Sequence, residues 1–410
     1  MRMNAIVAGV GMSRFGKHVD TGLKALGAEV VQAALKDSGL TAADIEAAYV
    51  GNAMAGIITG QECIRGQVIL RSIGIGRIPV INVENACGSG STAFQQACAM
   101  VSCGCYDVVL ALGAEKLYHP DKQRTFMALR GGMDVEELEA FLATLRAGAS
   151  GGGAVSPSGG GGDKRSVAMD FYAGVARAHM QQYGTTVRQL AGVSAKNSFH
   201  GSLNPRAQFR EVLSVDDVLA APMIDEPLTR PMCSPIGDGA AAAIVVSERK
   251  ACQLGLDRPV RVASSVLHSG WDHEPGELDS ASLCAREAYE QAGLGPDDLS
   301  VIELHDASAI GELIAYESLG LCRKGESGRL IDDGVTKLGG RLPVNTSGGL
   351  LRKGHPVGAT GVAQIVELTE QLQGRCDKRQ VPGAKAALAH NGGGVVGREA
   401  ASMCVTILVR

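Results

Sequence analysis

The chain contains an internal repeat. Gly39-Leu40 and Asp44-Ile45 return as Gly293-Leu294 and Asp298-Leu299 at one constant offset, and self-similarity on that scale constrains the fold more than any single motif. In the first copy Ala5–Val10 reads as a strand, residues 21–38 as a helix ended by Ser38-Gly39, and a second apolar strand finishes near Val50. In the second copy Val260–Val266 is a strand, a helix runs to Gln291-Ala-Gly-Leu, and Val301-Ile-Glu-Leu leads to His305. Alternating strands and helices in two copies imply an α/β protein of two similar halves, residues 1–250 and 251–410, whose strand-end loops converge. The first half carries an insertion at about 118–222 that the second lacks. Within it, Met169–Tyr183 and Gln189–His200 have helical patterning, whereas Ala147–Ser166 is so rich in glycine and serine that a mobile loop is expected, either a lid or plain solvent-exposed chain.

The repeat extends to the stretch Val80-Ile-Asn-Val-Glu-Asn-Ala-Cys-Gly-Ser-Gly-Ser-Thr-Ala, whose counterpart is Pro343-Val-Asn-Thr-Ser-Gly-Gly and the helix after Thr360. The apolar run Ile78–Val83 predicts a buried strand, and Phe94, Ala97, Cys98 and Val101 share one helical face, so Cys87 falls at a strand-to-helix turn. The positive end of that helix is expected to lower the thiol pKa. Ala86, Gly88, Ser89 and Gly90 leave the sulfur approachable. A structural cysteine beside a glycine-rich turn fits the same local pattern.

Composition narrows the function. A net charge of -4 and 4% aromatic residues provide neither the basic face nor the stacking platforms of a nucleic-acid binder. The longest apolar stretches are too short to span a bilayer and no signal-peptide pattern opens the chain, so a cytoplasmic protein is expected. The 11 cysteines lie mostly inside apolar segments without paired spacing, which predicts reduced core thiols and no zinc site.

Three histidines occupy strand-end loops. His355 lies in Lys353-Gly-His-Pro-Val-Gly-Ala-Thr-Gly, a tight loop that would fix an imidazole firmly enough to take a proton from Cys87. His305 follows a strand in Glu303-Leu-His-Asp-Ala-Ser, and His390 ends another before Gly392–Gly394, whose amides could approach a ligand closely. Any one of them alone would more simply be a structural histidine. A thiol and three histidines at strand ends of one duplicated fold are harder to explain by packing.

These segments resemble the thiolase superfamily over essentially the whole chain. The resemblance rests on the Cys87 turn, Asp238-Gly-Ala-Ala-Ala, Asn345-Thr-Ser-Gly-Gly, Gly354-His-Pro-Val-Gly-Ala-Thr-Gly and the final Gly-Gly-Gly. His305-Asp306, His390-Asn391, Tyr183-Gly-Thr-Thr, Lys196-Asn and Asn204-Pro-Arg-Ala-Gln-Phe make it similar to the sterol-carrier-protein (lipid-transfer-like) branch. The resemblance implies a five-layered αβαβα fold, a homodimer, and coenzyme A or acyl-CoA as substrate with no tightly bound cofactor and no metal. It implies that Cys87 carries the acyl group and His355 activates it. His305 and His355 would form the oxyanion hole for the enolate, the amides of Cys87 and Gly392 would hold the tetrahedral intermediate, and Ser234 and Met169 would line the pantetheine tunnel. Bulky, branched or aromatic acyl groups of benzoylsuccinyl or steroid side-chain type fit the branch, as does a small zinc-ribbon/OB-fold partner that would hold its own zinc.

The pattern breaks at one role. Thiolases commonly use a second cysteine as acid/base at the α-carbon, and its two usual positions here hold His390 and Ala307. Three readings stay open: His390 takes that role, the site runs a retro-aldol cleavage instead, or the chain is a catalytically quiet subunit.

Overall fold

The computed structural model describes residues 3–139, 143, 166–272, 274, 276–397 and 399–410. Of the glycine- and serine-rich stretch 147–166, only Ser166 falls among them, so the expectation of a mobile loop there lies outside the described residues.

Nine strands form one mixed sheet: β1 (Ala5–Met12), β2 (Ala47–Gly51), β3 (Val80–Val83), β4 (Val108–Glu115), β5 (Gly239–Ser247), β6 (Val260–Ser269), β7 (Val301–Glu303), β8 (Ala386–Gly393) and β9 (Ser402–Val409). Their spatial order is β3-β2-β4-β5-β1-β6-β9-β8-β7. A parallel bridge from Ile302 to Val344 continues the last edge. Outward from the antiparallel β1/β6 junction, where Ala5 faces Val262, the order is therefore the same on both sides, and the sequence repeat is a structural one.

Helices supply the other layers. Helix α1 (Leu23–Ser38) covers β1 and β5 on one outer face, and α6 (Ser280–Ala292) covers β6 and β9 on the other. Between them α2 (Ser89–Ser102) packs on α8 (Thr360–Gln373), and this pair touches strands of both halves, α2 lying on β4 and β6 and α8 on β5 and β8. The result is five layers, αβαβα. Four further helices complete the part that matters for the site: α3 (Lys122–Arg130), α4 (Val167–Tyr183), α5 (Val187–Ser202) and α7 (Ala309–Ser318). The helices expected over 169–183 and 189–200 correspond to α4 and α5.

Strand β5 shows why the sequence permits this. Ala241, Ala243 and Val245 enter the central core while Ala240, Ala242, Ile244 and Val246 enter an outer one. Successive side chains alternate in direction, so a strand covered on both faces reads as an unbroken apolar run. The alanines let α1 and α8 approach closely, and a leucine at Ala243 would overpack the interior at a cost of about 1–3 kcal/mol.

One expectation fails. The run Ile78–Val83 is not a buried strand: β3 begins at Val80 and forms the sheet's outer edge, leaving Ile81 38% exposed. An edge strand lacks a neighbour on one side, so apolar content there does not report burial within the chain.

Candidate active site

The Cys87 turn is built by local hydrogen bonds. Ser89 Oγ accepts from the Asn85 amide at 2.9 Å and donates to the Ala86 carbonyl at 2.7 Å, while Ala86 sits in the left-handed region at φ 46. That conformation costs a non-glycine residue energy. It turns the chain sharply out of β3, and Cys87 comes to rest half-buried just before α2.

The second half reaches Cys87 because its loop packs without side chains in the way. A Cβ at Gly113 would stand 2.5 Å from the Gly358 carbonyl oxygen and one at Gly90 2.8 Å from it. Only glycine allows β4 and α2 to receive the 354–360 loop so closely. As a result His355 Nε2 lies 3.3 Å from Cys87 Sγ.

Hydrogen bonds fix where the imidazole protons sit. Thr360 Oγ1 donates its proton to the Pro356 carbonyl at 3.0 Å, so at 2.7 Å from His355 Nδ1 it can only accept. His355 therefore carries its proton on Nδ1 and points the Nε2 lone pair at the thiol. His305 has the opposite tautomer. Its Nδ1 accepts the Gly392 N–H at 3.0 Å, which leaves a proton on Nε2, a buried atom with no partner among the described residues. His390 Nδ1 accepts the His305 N–H at 3.4 Å, a long contact that holds the ring without fixing its proton, and its Nε2 is also buried without a partner among the described residues.

Buried charges hold these loops in place. Lys353 Nζ, two residues before His355, pairs with Glu303 Oε2 at 3.0 Å, two residues before His305, and both side chains are almost wholly buried. Glu115, at the end of β4, accepts from the amides of Ala53 (3.2 Å), Met54 (3.2 Å) and Gly358 (2.9 Å) and from Asn52 Nδ2 (3.0 Å), tying the 52–54 turn to the His355 loop. Asp238 clamps the next segment, accepting from the amides of Leu117 and Tyr118 at 2.8 Å each and from Lys116 Nζ at 2.8 Å.

Electrostatics correct the sequence reading of the nucleophile. Burial pushes the Cys87 thiol up to about 12, and the Glu115 and Glu84 charges add to this, while the Gly394 amide and the Cys87 amide pull the other way without prevailing. The helix end was expected to stabilise a thiolate; desolvation outweighs it. Burial and the Lys353 charge push His355 down to about 3, burial takes His390 to about 4, and burial with the two neighbouring histidines holds His305 well below its usual range. The resting site is thus a neutral thiol facing a neutral base.

All seven residues singled out in the sequence, Cys87, His305, His355, His390, Gly392, Ser234 and Met169, line one cavity of about 1270 Å³. The role expected of Gly392 changes, since its amide serves His305, whereas the Gly394 amide acts on the Cys87 sulfur. Thr360, Glu115, Gly394 and Tyr172 were missed. Thr360 lay in view within the Gly354–Gly361 string; Glu115 was visible only as a carboxylate ending an apolar run. Ligand atoms of Cys87, His305 and His355 fall within 4.8 Å of one another, close enough to chelate a metal. The His305 tautomer disfavours that, because the lone pair on Nδ1 already accepts an N–H and Nε2 bears a proton. Among the described residues no helix is long and apolar enough to cross a membrane.

Comparisons with known proteins agree with the geometry. Residues 5–150 match the thiolase N-terminal domain and residues 268–408 the thiolase C-terminal domain-like family. The chain is 38% identical to acetyl-CoA acetyltransferase of Methanothermobacter thermautotrophicus over 96% of its own length and 97% of that protein's. It is 37% identical to sterol carrier protein 2 of Bos taurus, covering 97% of this chain and 72% of that protein. It is 35% identical to the benzoylsuccinyl-CoA thiolase subunit BbsB of Thauera aromatica, covering 95% and 94%. In fold it is similar to the Ltp2-ChsH2(DUF35) aldolase, with a TM-score of 0.78 and 24% identity over 99% of this chain and 98% of that one. It is also similar to the Acat5 thiolase of Ascaris suum in complex with coenzyme A, with a TM-score of 0.68 and 17% identity over 99% and 100% of the two chains. Two matched domains and relatives aligned end to end, around a cysteine–histidine pair drawn from both halves, make this chain a member of the thiolase family of acyltransferases.

Proposed function

We propose that the protein is a coenzyme A-dependent 3-oxoacyl thiolase that works through an acyl-Cys87 intermediate, in cleavage or in Claisen condensation. The observation that carries this reading is His355 Nε2 at 3.3 Å from Cys87 Sγ with its lone pair directed at the sulfur by Thr360. In cleavage, His355 takes the thiol proton as the sulfur attacks the 3-oxo carbon. The C–C bond then breaks, leaving the acyl group on Cys87 and an acyl-CoA enolate. His305 donates a hydrogen bond from its Nε2–H to the enolate thioester oxygen, and His390 acts in place of a second cysteine, protonating the α-carbon as the enolate becomes the product acyl-CoA. The coenzyme A thiol then gives its proton to His390 as it attacks the acyl-Cys87 carbonyl, restoring that ring, and the departing Cys87 sulfur takes back the proton held by His355. The amides of Cys87 and Gly394 serve the tetrahedral oxygen, and Ser234 and Met169 serve the pantetheine arm.

The cavity is large for a ligand site, which supports a bulky, branched or aromatic acyl group, as does similarity to the benzoylsuccinyl-CoA thiolase subunit. The exposed edge strand β3 supports a homodimer. Residues 1–250 and 251–410 act as the two halves, one bearing the nucleophile and the other the histidine loops. A small zinc-ribbon/OB-fold subunit is the proposed further partner, supported by the partnered aldolase of similar fold, and the cytoplasm is the proposed compartment.

The test is product analysis after incubating the protein with a panel of 3-oxoacyl-CoA esters and free coenzyme A, with Cys87→Ser beside it. Two shorter acyl-CoA products that require Cys87 are expected. A released ketone or aldehyde, independent of Cys87 and of coenzyme A, would replace this reading with retro-aldol cleavage.

A further inference from the structure

Cys103 and Cys105 lie outside the site and outside the core. They flank Gly104 in the turn that leads from α2 to β4, and both side chains are exposed. Backbone hydrogen bonds fix this turn: the Cys103 amide donates to the Ala99 carbonyl at 2.9 Å, Gly104 to Val101 at 3.0 Å and Cys105 to Met100 at 3.0 Å. Gly104 takes φ 75, in the left-handed region that glycine enters freely, and the chain folds back on the helix end. The two sulfurs lie 3.3 Å apart as a result.

That spacing suits a covalent bond between them better than a shared metal. A disulfide has an S–S length of about 2.05 Å, so each sulfur would move only about 0.6 Å to form one. No third metal-ligating side chain joins the pair among the described residues. Hydrogen bonding also orders the two thiols. Cys103 Sγ donates its proton to the Met100 carbonyl at 3.4 Å, so across the gap Cys105 is the donor. That hydrogen bond, followed by the charge of Cys103, pushes the Cys105 thiol up. Loss of the Cys103 proton keeps the bond between the sulfurs and loss of the Cys105 proton breaks it, which makes Cys103 the first to react.

We propose that Cys103 and Cys105 form a reversible dithiol/disulfide site that exchanges with low-molecular-weight disulfides. The Cys103 thiolate attacks one sulfur of the small disulfide, releases one thiol and is left in a mixed disulfide. Cys105, deprotonated in turn, attacks the Cys103 sulfur, forms the bond between the two cysteines and releases the second thiol. Two protein thiols give up two electrons and two protons, and the small disulfide takes up both as two thiols. An exposed disulfide of this kind is readily reduced again. The site does not depend on the thiolase reading, because Cys87 takes no part in it.

The test mixes the fully reduced, full-length protein with oxidised glutathione, quenches with iodoacetamide and locates each modification by peptide sequencing. The parent should yield a disulfide between Cys103 and Cys105 that dithiothreitol removes, while the exposed Cys63 and Cys252 carry glutathione adducts. Cys105→Ser has no thiol for the second step. A glutathione adduct should therefore persist on its Cys103 at least about 10-fold longer than in the parent, where the neighbouring thiol attacks intramolecularly. Stable glutathione adducts on both Cys103 and Cys105 of the parent would overturn the proposal. So would finding both alkylated after Cys63 and Cys252 have exchanged.

Discussion

Thr360 Oγ1 accepts a hydrogen bond from His355 Nδ1 at 2.7 Å because its own proton is held by the Pro356 carbonyl at 3.0 Å. This relationship decides which imidazole nitrogen faces the nucleophile. Replacing Thr360 by Val keeps the shape but removes the acceptor, freeing His355 to put its proton on Nε2, the wrong side for a base. Activity should fall on the order of 100-fold or more, as expected for a lost tautomer-fixing group. Thr360→Ser keeps the hydroxyl and should recover most of it. Equal activity in the Val variant would show that the tautomer is not set here.

Cys87 should alkylate slowly at neutral pH. Its thiol is pushed up to about 12, so the thiolate fraction is far below that of an ordinary cysteine, and the exposed Cys63 and Cys252 should react with iodoacetamide first. Peptide mapping after brief alkylation at pH 7.5 reads the order. Preferential labelling of Cys87 would mean a preformed thiolate–imidazolium pair.

Stability should decline on acidification. His200, His355 and His390 are neutral in the fold, lowered to about 3, about 3 and about 4, and burial with the two neighbouring histidines lowers His305 in the same sense. In the unfolded chain each binds a proton near pH 6.5. Their contribution is therefore complete above that pH and is lost as pH falls towards the folded values, at up to about 1.4 kcal/mol per histidine per pH unit. Glu115 runs the other way: burial raises its carboxyl to about 7, so the native state takes up that proton first and gains between pH 7 and its unfolded value. Burial raises the Asp306 carboxyl well above its usual range and makes it act in the same sense as Glu115. Four histidines outweigh these two carboxyls, and urea unfolding at pH 5 should show a stability a few kcal/mol, on the order of 3, below that at pH 7. Equal stability at the two pH values would contradict neutral buried histidines.

His390→Ala should abolish exchange of the α-proton of an acyl-CoA product with solvent deuterium, while Cys87 still accepts an acyl group. The ring lines the cavity, and its Nε2 is buried with no partner among the described residues. Unchanged exchange would assign the α-carbon proton to another group.

The sequence made the duplication, the turn at Cys87 and the three histidine loops legible because glycine, proline and strand patterning are local signals. It could not show that Cys87 and His355, 268 positions apart, would meet at hydrogen-bond distance, nor which ring nitrogen would face the sulfur. The pKa of Cys87 was misread for the same reason. A helix end is visible in sequence, but the desolvation that overrides it depends on what packs over the turn. Gly392 and Gly394 are indistinguishable in a run of three glycines until His305 takes one amide and Cys87 the other. The apolar run ending in β3 misled because an edge position is a property of the sheet.

The most direct test of the central claim is the intact mass of the protein after mixing with a 3-oxoacyl-CoA, with Cys87→Ala alongside. The account predicts a mass increase equal to the acyl fragment, absent in the variant and removed by free coenzyme A. An unmodified mass while substrate is consumed would contradict covalent catalysis by Cys87.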